Sequence, residues 1–110
     1  EYLSDCLEVK LAMVTDNYMI RVDSIEDGLR YASWKHDYYM TGEDKPELVL
    51  LYGVKKSRGL SDFYEFRNGG YVYQVPLYTY DHMKVKNGNK IICNESVWGL
   101  FSYETSETYD

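Results

Sequence analysis

Two histidines, His36 and His82, two cysteines, Cys6 and Cys93, and 18 carboxylates are the side chains from which a catalytic centre would have to be assembled. Acid–base work by histidine needs a partner at hydrogen-bond distance. His36 stands beside Asp37 in a polar stretch, which is also what a solvated loop looks like, and His82 opens a strand-like run. Neither belongs to a ligand spacing such as HExxH or CxxC, so no metal site is expected. Nucleophilic catalysis needs a serine or cysteine held beside a base. The serines fall in turns, and none sits in a GxSxG elbow. Glycosidase chemistry needs two carboxylates across a cleft. With 18 acidic residues some pair always looks suitable, so carboxylate pairs are uninformative. Asn68-Gly69-Gly70 leads into a strand, not a helix, so it is no phosphate loop. No catalytic residue and no cofactor is expected; the residues read as those of a binding domain, not an enzyme.

Two stretches carry binding chemistry. Trp34 to Met40, WKHDYYM, is rich in aromatic side chains. Tyr38 and Tyr39 are adjacent, so in an extended segment they point to opposite sides and one is exposed. With Trp34 they offer rigid anchors for a protein or a sugar; the alternative is packing over the end of the fold. The second stretch, Lys55-Lys56-Ser57-Arg58, is the densest positive patch on an acidic chain. Lys56 and Arg58 could enter an acidic cleft, or could simply belong to a solvated turn.

The cysteines lie one near each end of the chain. An even count permits one disulfide, and closing a loop of that length stabilises by about 4–5 kcal/mol in the chain-entropy view. Two buried free thiols are the alternative. The disulfide is the expectation, and it implies an oxidising compartment.

At 110 residues the chain is one domain. We assign 1–104 to it and 105–110 to a polar C-terminal tail. Thirteen tyrosines dominate the aromatic content, and tyrosine suits half-buried sheet faces and binding surfaces. The net charge of −6 argues against nucleic acid. It suits a basic protein partner, because opposite charge speeds encounter. No apolar run approaches the roughly 20 residues that span a bilayer, so no transmembrane segment is expected. The sequence starts at Glu1 instead of Met. The expectation is a removed signal peptide or lipoprotein leader, with a lipid anchor upstream in the second case.

The elements that must position these residues are strands. No stretch keeps a 3.6-residue apolar period. LEVKLAMV (Leu7 to Val14), NYMIRVD and LRYASWK (Leu29 to Lys35) alternate apolar and polar residues. Ser24 to Gly28 is a polar break that could hold one helical turn. ELVLLYG is nearly continuous in apolar residues, so it is expected to be covered on both faces. Lys55 to Ser61 is expected as a basic loop. FYEFRNGGYVYQVPL reads as a hairpin, with Tyr64, Phe66, Tyr71, Tyr73 and Val75 toward the core and Glu65, Arg67 and Gln74 toward water. Pro76 should mark a bulge or an edge. HMKVK and NKIIC flank a second Asn-Gly turn, and VWGLFSYE is a last strand. About eight or nine short strands at roughly ten-residue intervals make the fold all-β, a small antiparallel β-barrel or flattened sandwich of about eight strands.

In this layout the chain resembles the small periplasmic or lipoprotein-type inhibitors of C-type lysozyme. Cys6 precedes the first strand, and NKIICNES places Cys93 on a late strand, like the cysteines of that family. GLRYASW is similar to the family's Gly-x-Arg-Tyr motif, on Gly28, Arg30 and Tyr31. The tyrosine-rich style also resembles small cell-envelope proteins of unassigned function from gut-type bacteria. The resemblance implies a secreted, periplasmic or outer-surface bacterial β-barrel, a Cys6–Cys93 disulfide, and a basic partner such as a lysozyme, approached by Arg30 or Arg58. A glycan stacked on Trp34, Tyr38 and Tyr39, or a structural place in an envelope assembly, is the alternative.

Overall fold

The computed structural model describes residues 3–35, 45–59 and 61–102, with the backbone alone at Arg58. Eight strands follow one another: β1 (Glu8–Thr15), β2 (Tyr18–Ile25), β3 (Gly28–Lys35), β4 (Leu48–Arg58), β5 (Ser61–Asn68), β6 (Tyr71–Pro76), β7 (His82–Asn87) and β8 (Lys90–Ser102). Each pairs antiparallel with the next, and β1 pairs with β8 to close a barrel. The cause is the period-2 pattern. Leu11, Met13, Ile20, Val22, Tyr31, Tyr64, Phe66, Val75, Met83 and Val85 all point inward and form one buried cluster. Closure also leaves no sheet edge unpaired.

Two strands turn the corners. β4 pairs with β3 through Leu48 to Gly53 and with β5 from Val54 onward. β8 pairs with β7 up to Ser96 and with β1 from Val97. At the β4 corner Tyr52 adopts a φ of 62°, in the left-handed region that side chains avoid. Gly53 follows because nothing larger fits: a Cβ there would lie 2.3 Å from Phe66 Cε2. The two Asn-Gly hairpins are present, with Gly69 (φ 60°) and Gly88 (φ 63°) opening two-residue loops. Glycine in that first loop position suits a type II′ turn, whose twist matches the strands.

Several expectations change. Lys55 to Arg58 is the second half of β4 and not a loop, paired with β5 as far as Arg58 against Ser61, and the turn begins at Gly59. Strand geometry there is stabilised across the ladder, where Lys56 Nζ donates to Glu65 Oε1 at 2.9 Å. Val97 to Ser102 continues directly from Lys90 to Cys93 in the 13-residue β8, and Tyr103 and Glu104 lie outside the described residues. The Ser24–Gly28 break is a hairpin, with Ile25 paired to Gly28. β4 is covered on its inner face, where Leu50 is buried, while Val49 and Leu51 on the other face are exposed, and among the described residues no helix lies over them. Glu65 is buried beneath Lys56 and Arg67, and Tyr71, expected in the core, is 42% exposed. Pro76 ends β6, where its missing N–H costs no ladder bond.

Residues 3–7, ahead of β1, lie on the outer face of β2 and β3. Leu7 N donates to Ser24 O at 2.8 Å, and Leu3 packs with Ala32 and Trp34. Among the described residues no helix is long and apolar enough to cross a membrane.

Candidate functional site

A cavity of about 400 Å³ lies inside the barrel at the end that carries the β1–β2 turn. Its walls come from the inner faces of β2 (Tyr18, Ile20), β3 (Tyr31, Ser33), β6 (Tyr73), β7 (Met83, Val85) and β8 (Cys93, Glu95), with Ile92, Glu47 and Leu48 at the rim. Ser33 and Cys93 are short side chains at this level, and their size leaves the space. Ile92 and Glu47 are exposed, so the cavity opens to solvent here.

Tyr31 anchors the aromatic wall. Its ring centroid lies 5.5 Å from that of Tyr73, tilted by 58°, and 5.7 Å from that of Phe66, tilted by 53°. Tilted contacts of this kind set the electron-poor edge of one ring against the face of the next. Burial pushes the ionisation of the Tyr31 phenol well above its ordinary range, against a smaller opposing effect of a Ser33 hydrogen bond. Tyr18 is also raised, by burial and by the negative charges of Glu47 and Glu95. Both phenols therefore present neutral hydroxyls.

Glu95 is the polar centre of the wall and is 6% exposed. Its Oε1 accepts the Thr15 hydroxyl at 2.6 Å and the Asn17 backbone N–H at 3.1 Å, and its Oε2 accepts Asn17 Nδ2 at 2.7 Å. The donors come from the last residue of β1 and from the β1–β2 turn, so the carboxylate ties that turn to β8. The Cys93 sulfur lies 4.0 Å from Oε2. Burial, and then the charges of Glu95 and Asp16, push the Cys93 thiol up, so it stays protonated and weakly nucleophilic. At the rim Glu47 sits 3.8 Å from the exposed Lys35 ammonium.

The residues proposed from sequence are not gathered at this mouth. Trp34 is 1% exposed and packs against Leu3 and Ala32 on the outer side of β3, so it offers no surface for stacking. Arg30 is buried on the same outer side. Its Nε and Nη2 donate to Asp23 at 2.9 Å each, and its Nη1 to Asp5 at 2.6 Å. Lys56 lies on the outer face of β4, joined to Glu65. The side chain of Arg58, and Tyr38 and Tyr39 altogether, fall outside the described residues. Cys6 and Cys93 are both free thiols, which corrects the expected disulfide. The reason is geometric: Cys6 lies on the outer face near Arg21 and Asp23, whereas Cys93 faces the cavity. The thiols thus give no argument for an oxidising compartment.

Sequence reasoning missed Tyr18, Tyr31, Tyr73, Cys93 and Glu95 as a group. Glu95 gave one signal, a carboxylate two residues from Cys93 and two from Val97 on an otherwise apolar face. The exposed tryptophan is Trp98, 74% exposed, whose indole N–H donates to Asp16 Oδ1 at 2.7 Å. Among the described residues no cluster of three or more His, Cys, Asp or Glu side chains is arranged to hold a metal ion. Comparison with known protein families, with curated proteins and with solved structures finds no match.

Proposed function

We propose that this chain is a non-enzymatic binding domain that holds a small, largely apolar molecule in the mouth of its barrel. One observation carries the reading: a solvent-open cavity of about 400 Å³ walled by three tyrosines, aliphatic side chains and few polar groups. Small-molecule sites have this character and a size of roughly 300–1,000 Å³. Eight strands enclose about enough room for one small ligand. The protonated Cys93 thiol and neutral phenols suit binding better than bond-making. The test is a titration with small aromatic compounds, followed by the NMR signal of the Met83 methyl group, which lines the cavity. A saturable shift that the cavity-filling variant Cys93→Phe abolishes supports the proposal. No shift from any compound at millimolar concentration overturns it.

Inhibition of a lysozyme-type hydrolase is the second reading. It is supported by the closed antiparallel barrel, the architecture that the sequence resemblance implies. Arg30 takes no part in it, because Asp23 and Asp5 already hold its guanidinium. A lysozyme assay at stoichiometric ratio decides. Undiminished activity at micromolar excess of this protein ends the reading.

A further inference from the structure

We propose that the molecule held in the barrel mouth is an organic cation, an ammonium head on an aromatic or alicyclic body, with its charge against Glu95. This rests on the reading of the mouth as a small-molecule site and names the chemistry it selects.

The Glu95 carboxylate is buried in the cavity wall, and its partners are a hydroxyl, a backbone N–H, a side-chain amide and, at 4.0 Å, the Cys93 thiol. All are neutral, and among the described residues no cation contacts it. Such donors satisfy hydrogen bonds but leave the charge uncompensated, and buried charge is costly unless an opposite charge meets it. A carboxylate offers about four acceptor positions. Three are filled by oxygen and nitrogen donors, and the fourth, on Oε2, receives only the long 4.0 Å contact of the weakly donating, cavity-lining Cys93 thiol.

The rest of the lining points the same way. Glu47 adds a second carboxylate, and its Lys35 partner is 3.8 Å away and mostly exposed. No Lys, Arg or His lines the cavity among the described residues. The remaining polar groups are tyrosine and serine hydroxyls and one thiol. Tyrosine ring faces attract cations through their quadrupole. An anionic ligand would meet two like charges. A neutral one would fill the apolar volume but leave Glu95 unanswered. A cation with an apolar body satisfies both parts of the site.

The structural task of Glu95, tying the β1–β2 turn to β8, does not explain its charge. A glutamine of the same shape keeps one acceptor for the Thr15 hydroxyl and the Asn17 N–H, and the Asn17 amide can turn to meet it. Glu95→Gln therefore separates the two roles.

The experiment uses three probes with one body: 2-phenylethylammonium, 2-phenylethanol and phenylacetate, each titrated against the Met83 methyl signal. The ammonium is expected to bind about tenfold more tightly than the alcohol, and phenylacetate weakest. Glu95→Gln should bring ammonium and alcohol to within about threefold while alcohol affinity stays unchanged. Glu47→Gln, at the exposed rim, should reduce the preference by a smaller factor, and it decides the matter if Glu95→Gln does not fold. If the alcohol binds wild type as tightly as the ammonium, or if both variants keep the full preference, the inference is overturned and the small-molecule site stands. If none of the probes moves Met83, the site itself falls, and this inference with it.

Discussion

Arg30 grips Asp23 in a two-pronged pair, Nε to Oδ1 and Nη2 to Oδ2, both at 2.9 Å, on the outer face of the barrel. Arg21 Nη2 reaches the same Oδ2 at 2.9 Å. Asp23 is thus a buried anion between two guanidinium groups. Removing it leaves buried Arg30 without its main counter-charge, and breaking such a pair costs about 3–5 kcal/mol. Asp23→Ala should lower the urea midpoint accordingly. Asp5→Ala removes only the exposed second partner of Arg30 and should have a much smaller effect. Equal midpoints for the two variants would contradict this account.

Gly53→Ala tests the corner of β4. The added methyl would collide with the Phe66 ring, which is fully buried and has nowhere to move. Overpacking of this kind costs about 1–3 kcal/mol. Phe66→Leu should recover part of that loss when combined with Gly53→Ala, although alone it destabilises. A double-mutant cycle in chemical denaturation measures the coupling. Simple additivity would show that the ring is not what excludes a side chain.

Much of the fold was legible in the chain because alternation reports facing. Tyr64, Phe66 and Val75 were readable as inward from their two-residue spacing, and the structure buries them. The β4 corner was not readable, because Tyr52 and Gly53 sit in an apolar run that suits a straight strand equally well. The run Lys55 to Arg58 reads as a loop for the same local reason. Only its pairing with β5 shows that an exposed strand face wants those charges. The cavity was illegible for a different reason. Glu95 and Asn17 are 78 residues apart, and Tyr73 and Tyr31 meet only after closure fixes the register. Trp34 misled because an outward-facing strand residue reads as exposed, and only the segment around Leu3 reveals otherwise.

The two tryptophans should separate in solution. Trp98 is exposed and Trp34 buried, so acrylamide should quench two populations, and Trp98→Phe should leave only the protected one. Trp98 also reports on Asp16. The Ser96 backbone N–H and then the Trp98 indole N–H hold the Asp16 carboxyl below its ordinary 3.8, against a smaller effect of burial. With the folded value depressed, these bonds are fully in place above pH 3.8 and are lost as pH falls through the lower folded value. Trp98 emission should therefore change only in that acid range, and Asp16→Asn should abolish the transition.

Both cysteines should titrate as thiols in denaturant without any reductant. In the native protein, alkylation of each should be slower than that of an unstructured peptide thiol. For Cys6 and Cys93 alike burial is the leading cause of a raised pKa, which lowers the reactive thiolate fraction near neutral pH. Mass spectrometry of the alkylated protein reads both outcomes. A single unreactive pair in denaturant would restore the disulfide.

The closing seam between β1 and β8 has a consequence for connectivity. Every other strand pair joins neighbours in sequence, and Leu11 stands directly across from Ser102. Around the ring, then, no strand is topologically first. A circular permutant that bridges the ends of β1 and β8 with a flexible linker, and opens instead between Gly88 and Asn89, retains every ladder of the barrel. That exposed two-residue loop is the kind of site where such cuts succeed.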